Sequence, residues 1–400
     1  MVKTTPFYPR LAPLSETMLW KHWAGYAAAQ NYQFSTLFEY FAIRSGVAVF
    51  DTSPLFKYRI QGPDTEHFLT GVLARDIRTC RPGQAQYTIW CDSDGYMLED
   101  GVVLRLSDDE FLLTAAEPNL LYFANLIGRR RVEISDISKE YGILAVQGPH
   151  SRTVLAQLTK TAADLPYFHV SQTKIAKKPV ILSRTGYTGD LGYELWIKSD
   201  DALAVWDALM AAGAGYNITP MGLMALKMAR IEAGLLLLDV DFASARHAWV
   251  DGQRETPLEL GFDWMFRKLA DEDERPFIGR QAIENEIANK TSRWKTVGLM
   301  LDWQHYDQTY EELGLIPPKI TTPIEEAHSL YDAERNYLGY ATSLMYSSLL
   351  KRHIAIGKLP PHLSKPGSEA YLELMILHKP QYVRVNVVRL PFYDPPHKKQ

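Results

Sequence analysis

Two carboxylates stand where permissive backbone gives way to strand, and they are the side chains best placed to do chemistry. The first lies in residues 183–196, SRTGYTGDLGYELW, where glycines at 186, 189 and 192 and tyrosines at 187 and 193 surround a turn that enters a strand. The glycine spacing invites a nucleotide reading, but a dinucleotide fingerprint must open a helix whose N-terminus holds phosphate. Here residues 193–198 alternate with period two, so Glu194, Trp196 and Lys198 share one face and Tyr193, Leu195 and Ile197 the other. A strand follows the glycines, and phosphate cradling loses its mechanical basis. What remains is a loop that lets backbone approach a flat ligand, tyrosines able to flank it, and one acid, Glu194, to read a paired N–H edge. That set suits a pterin or purine-like ring. An ordinary exposed strand glutamate is the alternative, and the commonest one. Asp190, flanked by glycines, reads as a turn residue.

The second carboxylate is Asp100. Residues 81–87 (RPGQAQY) lead into a hairpin at 91–105 (CDSDGYMLEDGVVLR), and Asp100 ends one apolar approach and begins another. If buried, its ionised form needs hydrogen-bond donors, which a bound nitrogen ligand would supply. A hydrogen-bonded turn residue is the competing reading, and Glu99 is expected to face solvent. Other chemistries lack their residues. The eleven histidines include no H-E-x-x-H or H-x-H pair, so His247 and His305 read as structural. A G-x-S-x-G elbow and a G-x-x-x-x-G-K-[ST] loop are both missing. Cys80 and Cys91 are too few for a disulfide framework and have no neighbouring zinc ligands, so the expectation is no metal and a reducing compartment.

The elements that must position these acids show in the pattern. Residues 56–69 (FKYRIQGPDTEHFL) parallel 143–155 (ILAVQGPHSRTVL) around a shared Gln-Gly-Pro, each copy reading strand, turn, helix. A duplicated half predicts one α+β unit built twice. Further helices are expected at 200–212, capped by Ser199 and stopped by Gly213, and at about 221–233, stopped by Gly234. The aromatic-rich residues 1–48 predict a packed N-terminal helical layer. Residues 265–290, with DEDERP at 271–276, read as a charged surface connection, and 294–391 as a small β-barrel or sandwich. At 400 residues the chain has room for two or three such units. A formal charge of -4, a pI near 6.3 and no basic run longer than Arg129 to Arg131 leave no field for nucleic acid. With no signal peptide or membrane-length apolar run, the expected location is the cytoplasm, with no membrane partner.

Assembled, the motifs at 50–53 (FDTS), 83–87 (GQAQY), 95–103, 147–149 (QGP), 184–189 with Glu194, and 230–235 (RIEAGL) follow the order seen in the glycine-cleavage T-protein family. Those at 256–259, 277–280, 339–343 and 390–394 continue it, so the chain resembles a tetrahydrofolate-dependent aminomethyltransferase from about residue 35 onward. The resemblance implies an α+β fold, a pseudo-duplicated folate-binding domain with a C-terminal β-barrel in a three-lobed ring. Residues 1–285 would form the folate-binding region as two lobes and 286–400 the barrel. It implies tetrahydrofolate as cofactor, Asp100 as the catalytic acid near N5 and N10, and Glu194 as the partner of the pterin ring N–H and amino group. Tyr87 and Tyr187 match positions lining the ring, and Arg230 joins the cofactor-binding set. The implied partner is a small-molecule one-carbon donor or a lipoyl carrier protein, for which Arg129, Arg130, Arg131, Lys174, Lys177 and Lys178 would offer a basic surface.

Three positions depart from the family. Ala115 stands where a folate-contacting Asn is usual, Leu226 where an Arg precedes Arg230 by four residues, and Leu363 where a Tyr is usual. These losses separate the fold and cofactor from the named reaction and admit relatives that demethylate small molecules at O, S or N. No flavin-binding region is present, so the chain either accepts an activated one-carbon unit or removes a methyl group directly. A non-catalytic folate-binding accessory protein is the other alternative, but its K-G-C-[FY]-x-G-Q-E stretch is absent from 237–246 (LLDVDFASAR).

Overall fold

A computed structural model of the chain describes residues 2–269 and 273–400, so Ala270, Asp271 and Glu272 of the expected charged connection lie outside the described residues. Two sheets and a barrel carry the fold. The first sheet runs in the order Val170–Ile175, Lys178–Ser183, Gly192–Lys198, Tyr141–Gln147, Ala48–Asp51, Thr219–Pro220. The second runs Ala85–Cys91, Met97–Arg105, Glu110–Ala115, Phe56–Gln61, Glu133–Asp136. Six further strands, from Lys295–Leu301 to Lys379–Val388, close into a barrel, which removes the exposed edges an open sheet would leave.

Each Gln-Gly-Pro copy seeds one sheet. Strand Phe56–Gln61 passes through Gly62 into helix Thr65–Val72, and strand Tyr141–Gln147 through Gly148 into helix Ser151–Ala156. Both glycines sit at positive φ, 128° and 115°. A Cβ would stand 2.3 Å from the Arg131 carbonyl at the first and 2.7 Å from the Gly46 carbonyl at the second, so only glycine serves there. The helix Leu223–Glu232 ends before Gly234, at φ 63°, as its sequence predicts.

Three local expectations change. Residues 265–290 are not a charged surface connection, because they include the helix Arg280–Asn289 and bury Phe266, Phe277 and Ile283. The aromatic N-terminus is only partly helical, at Tyr8–Leu11 and Thr36–Ser45, with the strands Trp20–Trp23 and Tyr26–Ala29 forming a hairpin between them. Ala24 and Gly25, at φ 47° and 89°, provide the two positive-φ residues of a primed turn, and that short signal outweighs aromatic content. Ser199 does not cap the next helix. Its hydroxyl donates to the Lys139 carbonyl, and a turn of 3-10 helix at Ser199–Asp201 leads into Ala202–Gly213.

The first sheet packs Val146, Leu182, Leu195 and Ile197 against Val205, Trp206 and Leu209 of helix Ala202–Gly213. The second sheet and the barrel have their own cores, around Trp90 with Phe123 and around Leu299 with Leu344. Among the described residues, no helix is long and apolar enough to cross a membrane.

Candidate active site

The three lobes meet around a cavity of about 1670 Å³, whose wall includes Asp100 of the second sheet, Glu194 of the first and Val297 of the barrel. Typical small-molecule pockets hold roughly 300–1,000 Å³, so there is space for a folate-sized ligand and a second reactant together.

Glu194 projects from strand Gly192–Lys198 into this space, half-buried. One carboxylate oxygen accepts from the Thr185 hydroxyl, and the other has no donor among the described residues. Burial pushes the carboxyl above its ordinary value, with Thr185 opposing the rise. A half-buried carboxylate with an open acceptor, facing a wide cavity, fits a ligand that presents adjacent N–H groups.

The loop before Glu194 owes its glycines largely to Gln147. Added Cβ atoms at Gly186 and Gly192 would each lie 2.1 Å from the Gln147 Oε1. The Gln147 amide donates to the Tyr193 carbonyl at 3.2 Å and accepts from the Thr188 hydroxyl at 2.8 Å, so it braces the loop from within. Gly189, at φ 72°, lies against Ala233, where a Cβ would come within 2.4 Å of that methyl. All three glycines also line the cavity. Asp190 exceeds its expected turn role: it accepts from His397 at 2.7 Å and lies 3.4 Å from Arg44 in a buried cluster.

Asp100 reaches the cavity from strand Met97–Arg105, opposite Ile89. Burial pushes its carboxyl up to about 6, while a hydrogen bond from the Tyr87 hydroxyl restrains the rise. Tyr87 also lines the cavity, with its ring 5.8 Å from that of Phe262. Tyr187 lines it too, its hydroxyl donating to the Leu236 carbonyl.

Glu99 is not the solvent-facing residue the sequence suggests. Its side chain points to the other face of the sheet, and that face is covered by the segment leading into helix Leu120–Leu126. Fully buried, its carboxylate accepts from the backbone of Ala116, the backbone of Glu117 at 3.0 Å and the Asn119 amide at 2.5 Å. It therefore holds the backbone beside Ala115 and Ala116, which form part of the cavity wall.

Arg230, on helix Leu223–Glu232, borders the cavity but is fully buried among protein partners. Its guanidinium bonds Asp241, the Ser343 hydroxyl at 2.9 Å and Glu325 at 3.3 Å, leaving Nε without a partner. It joins the helix to barrel strand Tyr337–Ser347. Ala115 and Leu226 also line the wall, so two of the three departures from the family pattern fall at the site itself. Leu363, in the 3-10 turn Pro361–Leu363, neighbours Ser364 of the wall.

The remaining candidates lie outside this constellation. His247 pairs with Glu117 at 2.9 Å, and His305 accepts from the Arg384 backbone at 3.1 Å. Within the basic surface, Arg131 pairs with Asp64 at 3.2 Å and Lys178 with Asp201 at 2.7 Å. Arg75, which sequence reasoning missed, stands in the cavity wall with Tyr87 and Asp100.

Two acids delivered by two related sheets to one cavity, closed by a barrel, define a class of α+β ligand-binding proteins with a duplicated core. Residues 11–268 match the GCVT N-terminal domain and residues 313–394 the glycine cleavage T-protein C-terminal barrel domain. The chain belongs to the glycine cleavage T-protein family. It is 30% identical to the heme-dependent oxidative N-demethylase gamma subunit of Ectopseudomonas mendocina, over 94% of this chain and 93% of that one. It is likewise 30% identical to an aminomethyltransferase of Streptomyces coelicolor, over 89% and 88% of the two chains. The crystal structure of glycine cleavage system aminomethyltransferase T from Bartonella henselae shares the fold, with a TM-score of 0.82 at 23% identity over 98% of this chain and 99% of that one.

Proposed function

We propose that this protein is a tetrahydrofolate-dependent one-carbon transferase, with Asp100 catalytic and Glu194, Tyr187, Tyr87 and Arg230 forming the folate side of the site. The observation that carries the proposal is the pair of half-buried carboxylates, Asp100 and Glu194, facing one cavity from separate sheets. Among the described residues, neither acid has an arginine or lysine partner.

Glu194 would accept the pterin ring N–H and amino group through its two oxygens, a geometry one carboxylate matches in bidentate fashion. Tyr187 and Tyr87 would bound the ring. When bound, tetrahydrofolate supplies the nitrogen that receives the one-carbon unit. Asp100 would orient that nitrogen and stabilise cationic character beside it, an interaction that displacement of water by the bound ligand would strengthen. Arg230, neutralised by Asp241 and Glu325, would hold the wall behind the folate in place.

The proposal extends to residues 1–285 as the folate-binding region and 286–400 as the barrel domain. It places the protein in the cytoplasm, which two buried free cysteines support. The donor is a small molecule or a lipoyl carrier protein. Ala115 and Leu226, apolar in the wall, favour a demethylase-type small-molecule donor, and one relative is named as an N-demethylase subunit.

A tetrahydrofolate titration of wild type, Glu194→Ala and Asp100→Asn tests the proposal. Losing the charge-assisted contacts at Glu194 should weaken binding roughly 10- to 100-fold. Asp100→Asn should keep most of the affinity and lose transfer of the one-carbon unit. If wild type shows no affinity for reduced folate, the proposal fails. Full transfer activity in Asp100→Asn would leave folate binding standing and remove the catalytic assignment.

A further inference from the structure

Among the described residues, the cavity wall holds one half-buried cation that no acid neutralises. Lys227 and Arg230 are paired with Glu325, Arg230 also with Asp241, Lys295 with Asp263, and Lys398 with Asp394. Lys21 and Arg389 also line the cavity, but they are exposed to solvent. Arg75 differs from both groups. It has no carboxylate within salt-bridge distance among the described residues, and burial lowers its pKa from the ordinary value. The neighbouring thiol that would raise it, Cys80, is itself pushed up to about 11 and is neutral at physiological pH.

The guanidinium is nonetheless held in place. One terminal nitrogen donates to the Tyr87 carbonyl at 2.9 Å, and the Trp264 ring lies under it, 5.0 Å from centroid to guanidinium carbon. Arginine carries five N–H donors in a rigid fork, and a single one is used among the described residues. A desolvated charge without a counter-charge is costly, and a planar anion able to take two parallel N–H bonds offsets that cost best. The aromatic ring covers one guanidinium face and leaves the donor edge available, an arrangement that lysine could not reproduce. The anchoring carbonyl belongs to Tyr87, whose hydroxyl bonds Asp100, so the fork stands close to the proposed reaction centre.

We propose that Arg75, backed by Trp264, is a carboxylate-binding subsite of the cavity. The carboxylate comes either from the benzoylglutamate end of the folate or from the one-carbon donor. This inference rests on the folate-transferase reading and deepens it.

The experiment compares wild type, Arg75→Met and Arg75→Lys by calorimetric titration, after thermal melts show which variants are folded. The probes are tetrahydrofolate, 6-methyltetrahydropterin, which lacks the benzoylglutamate, and N-methylglycine against dimethylamine added to folate-loaded protein. If the carboxylate is the folate's, Arg75→Met weakens tetrahydrofolate at least about tenfold and leaves 6-methyltetrahydropterin unchanged. If it is the donor's, tetrahydrofolate affinity holds, while the preference for N-methylglycine over dimethylamine falls at least about tenfold. In either case Arg75→Lys, which keeps the charge and loses the fork, should lie between wild type and Arg75→Met. It also carries the test alone if Arg75→Met does not fold. Affinities for tetrahydrofolate and N-methylglycine that stay within about twofold of wild type in every folded variant overturn the subsite. Failure of wild type to bind tetrahydrofolate would strike the parent proposal instead, and dependence on Arg75 alone addresses this one.

Discussion

Replacing Tyr87 by Phe tests the electrostatics of Asp100 directly. In the wild-type protein the Asp100 carboxyl titrates at about 6, raised by burial and held down by the Tyr87 hydroxyl. A hydrogen bond to a charged group contributes about 1.5–3 kcal/mol. At about 1.4 kcal/mol per pK unit, its loss should raise the midpoint by about 1–2 units, to roughly 7–8. The measurement is carbon-13 NMR of protein labelled at the aspartate γ-carbon, with the Asp100 signal assigned by its absence in Asp100→Asn. Stability follows with a defined sign. Because the folded value lies above the ordinary carboxylate value of 3.8, the contribution of Asp100 is fully present below that value and is lost as pH rises through about 6. In Tyr87→Phe the loss should extend through the higher midpoint, so the stability difference between variant and wild type grows between about pH 6 and 8. If Asp100 is the catalytic carboxylate, the acid limb of transfer activity should move by the same interval. A midpoint that stays within about 0.3 units of wild type, or falls, would refute the role given to Tyr87.

Two other perturbations probe the scaffold. Arg44 is buried with Glu232 at 2.7 Å and Asp190 at 3.4 Å, and it also donates to the Thr188 and Ala229 carbonyls. Arg44→Met removes the arginine from both buried acids, leaving Asp190 with His397 and Glu232 with the Tyr40 and Ser347 hydroxyls, and should cost about 3–5 kcal/mol in denaturant unfolding; a loss under about 1 kcal/mol would show that the cluster relaxes around the gap. Gly186→Ala drives a methyl to 2.1 Å from the Gln147 Oε1. It should destabilise by about 1–3 kcal/mol and weaken tetrahydrofolate binding, and Gln147→Ala in the same chain should recover part of the affinity if the clash is the cause.

What the sequence could reveal depended on whether a property was local. Asp100 and Glu194 are legible because a carboxylate at the entry of a strand, after a glycine-rich turn or within a hairpin, shows in a dozen consecutive residues. The duplicated Gln-Gly-Pro is legible for the same reason, since the positive-φ glycine and the following helix are encoded side by side. Glu99 illustrates the opposite case. Alternation correctly sends it to the other face from Asp100, but whether that face meets water depends on Asn119 and its neighbours returning to cover it. Gly186 and Gly192 are conspicuous in the sequence, whereas the reason for them, the Gln147 amide, comes from a strand about forty residues away. Arg75 is harder still, because its distinguishing property is the absence of an acid beside it among the described residues. Lys227, Lys295 and Arg230 in the wall acquire acids from other segments, as Arg230 does from Asp241 and Glu325. Charge balance is therefore settled only when all the walls are assembled. A guanidinium left over after that assembly is information about what the cavity receives, which is why the ligand's carboxylate is sought at Arg75 and not at the more conspicuous Arg230.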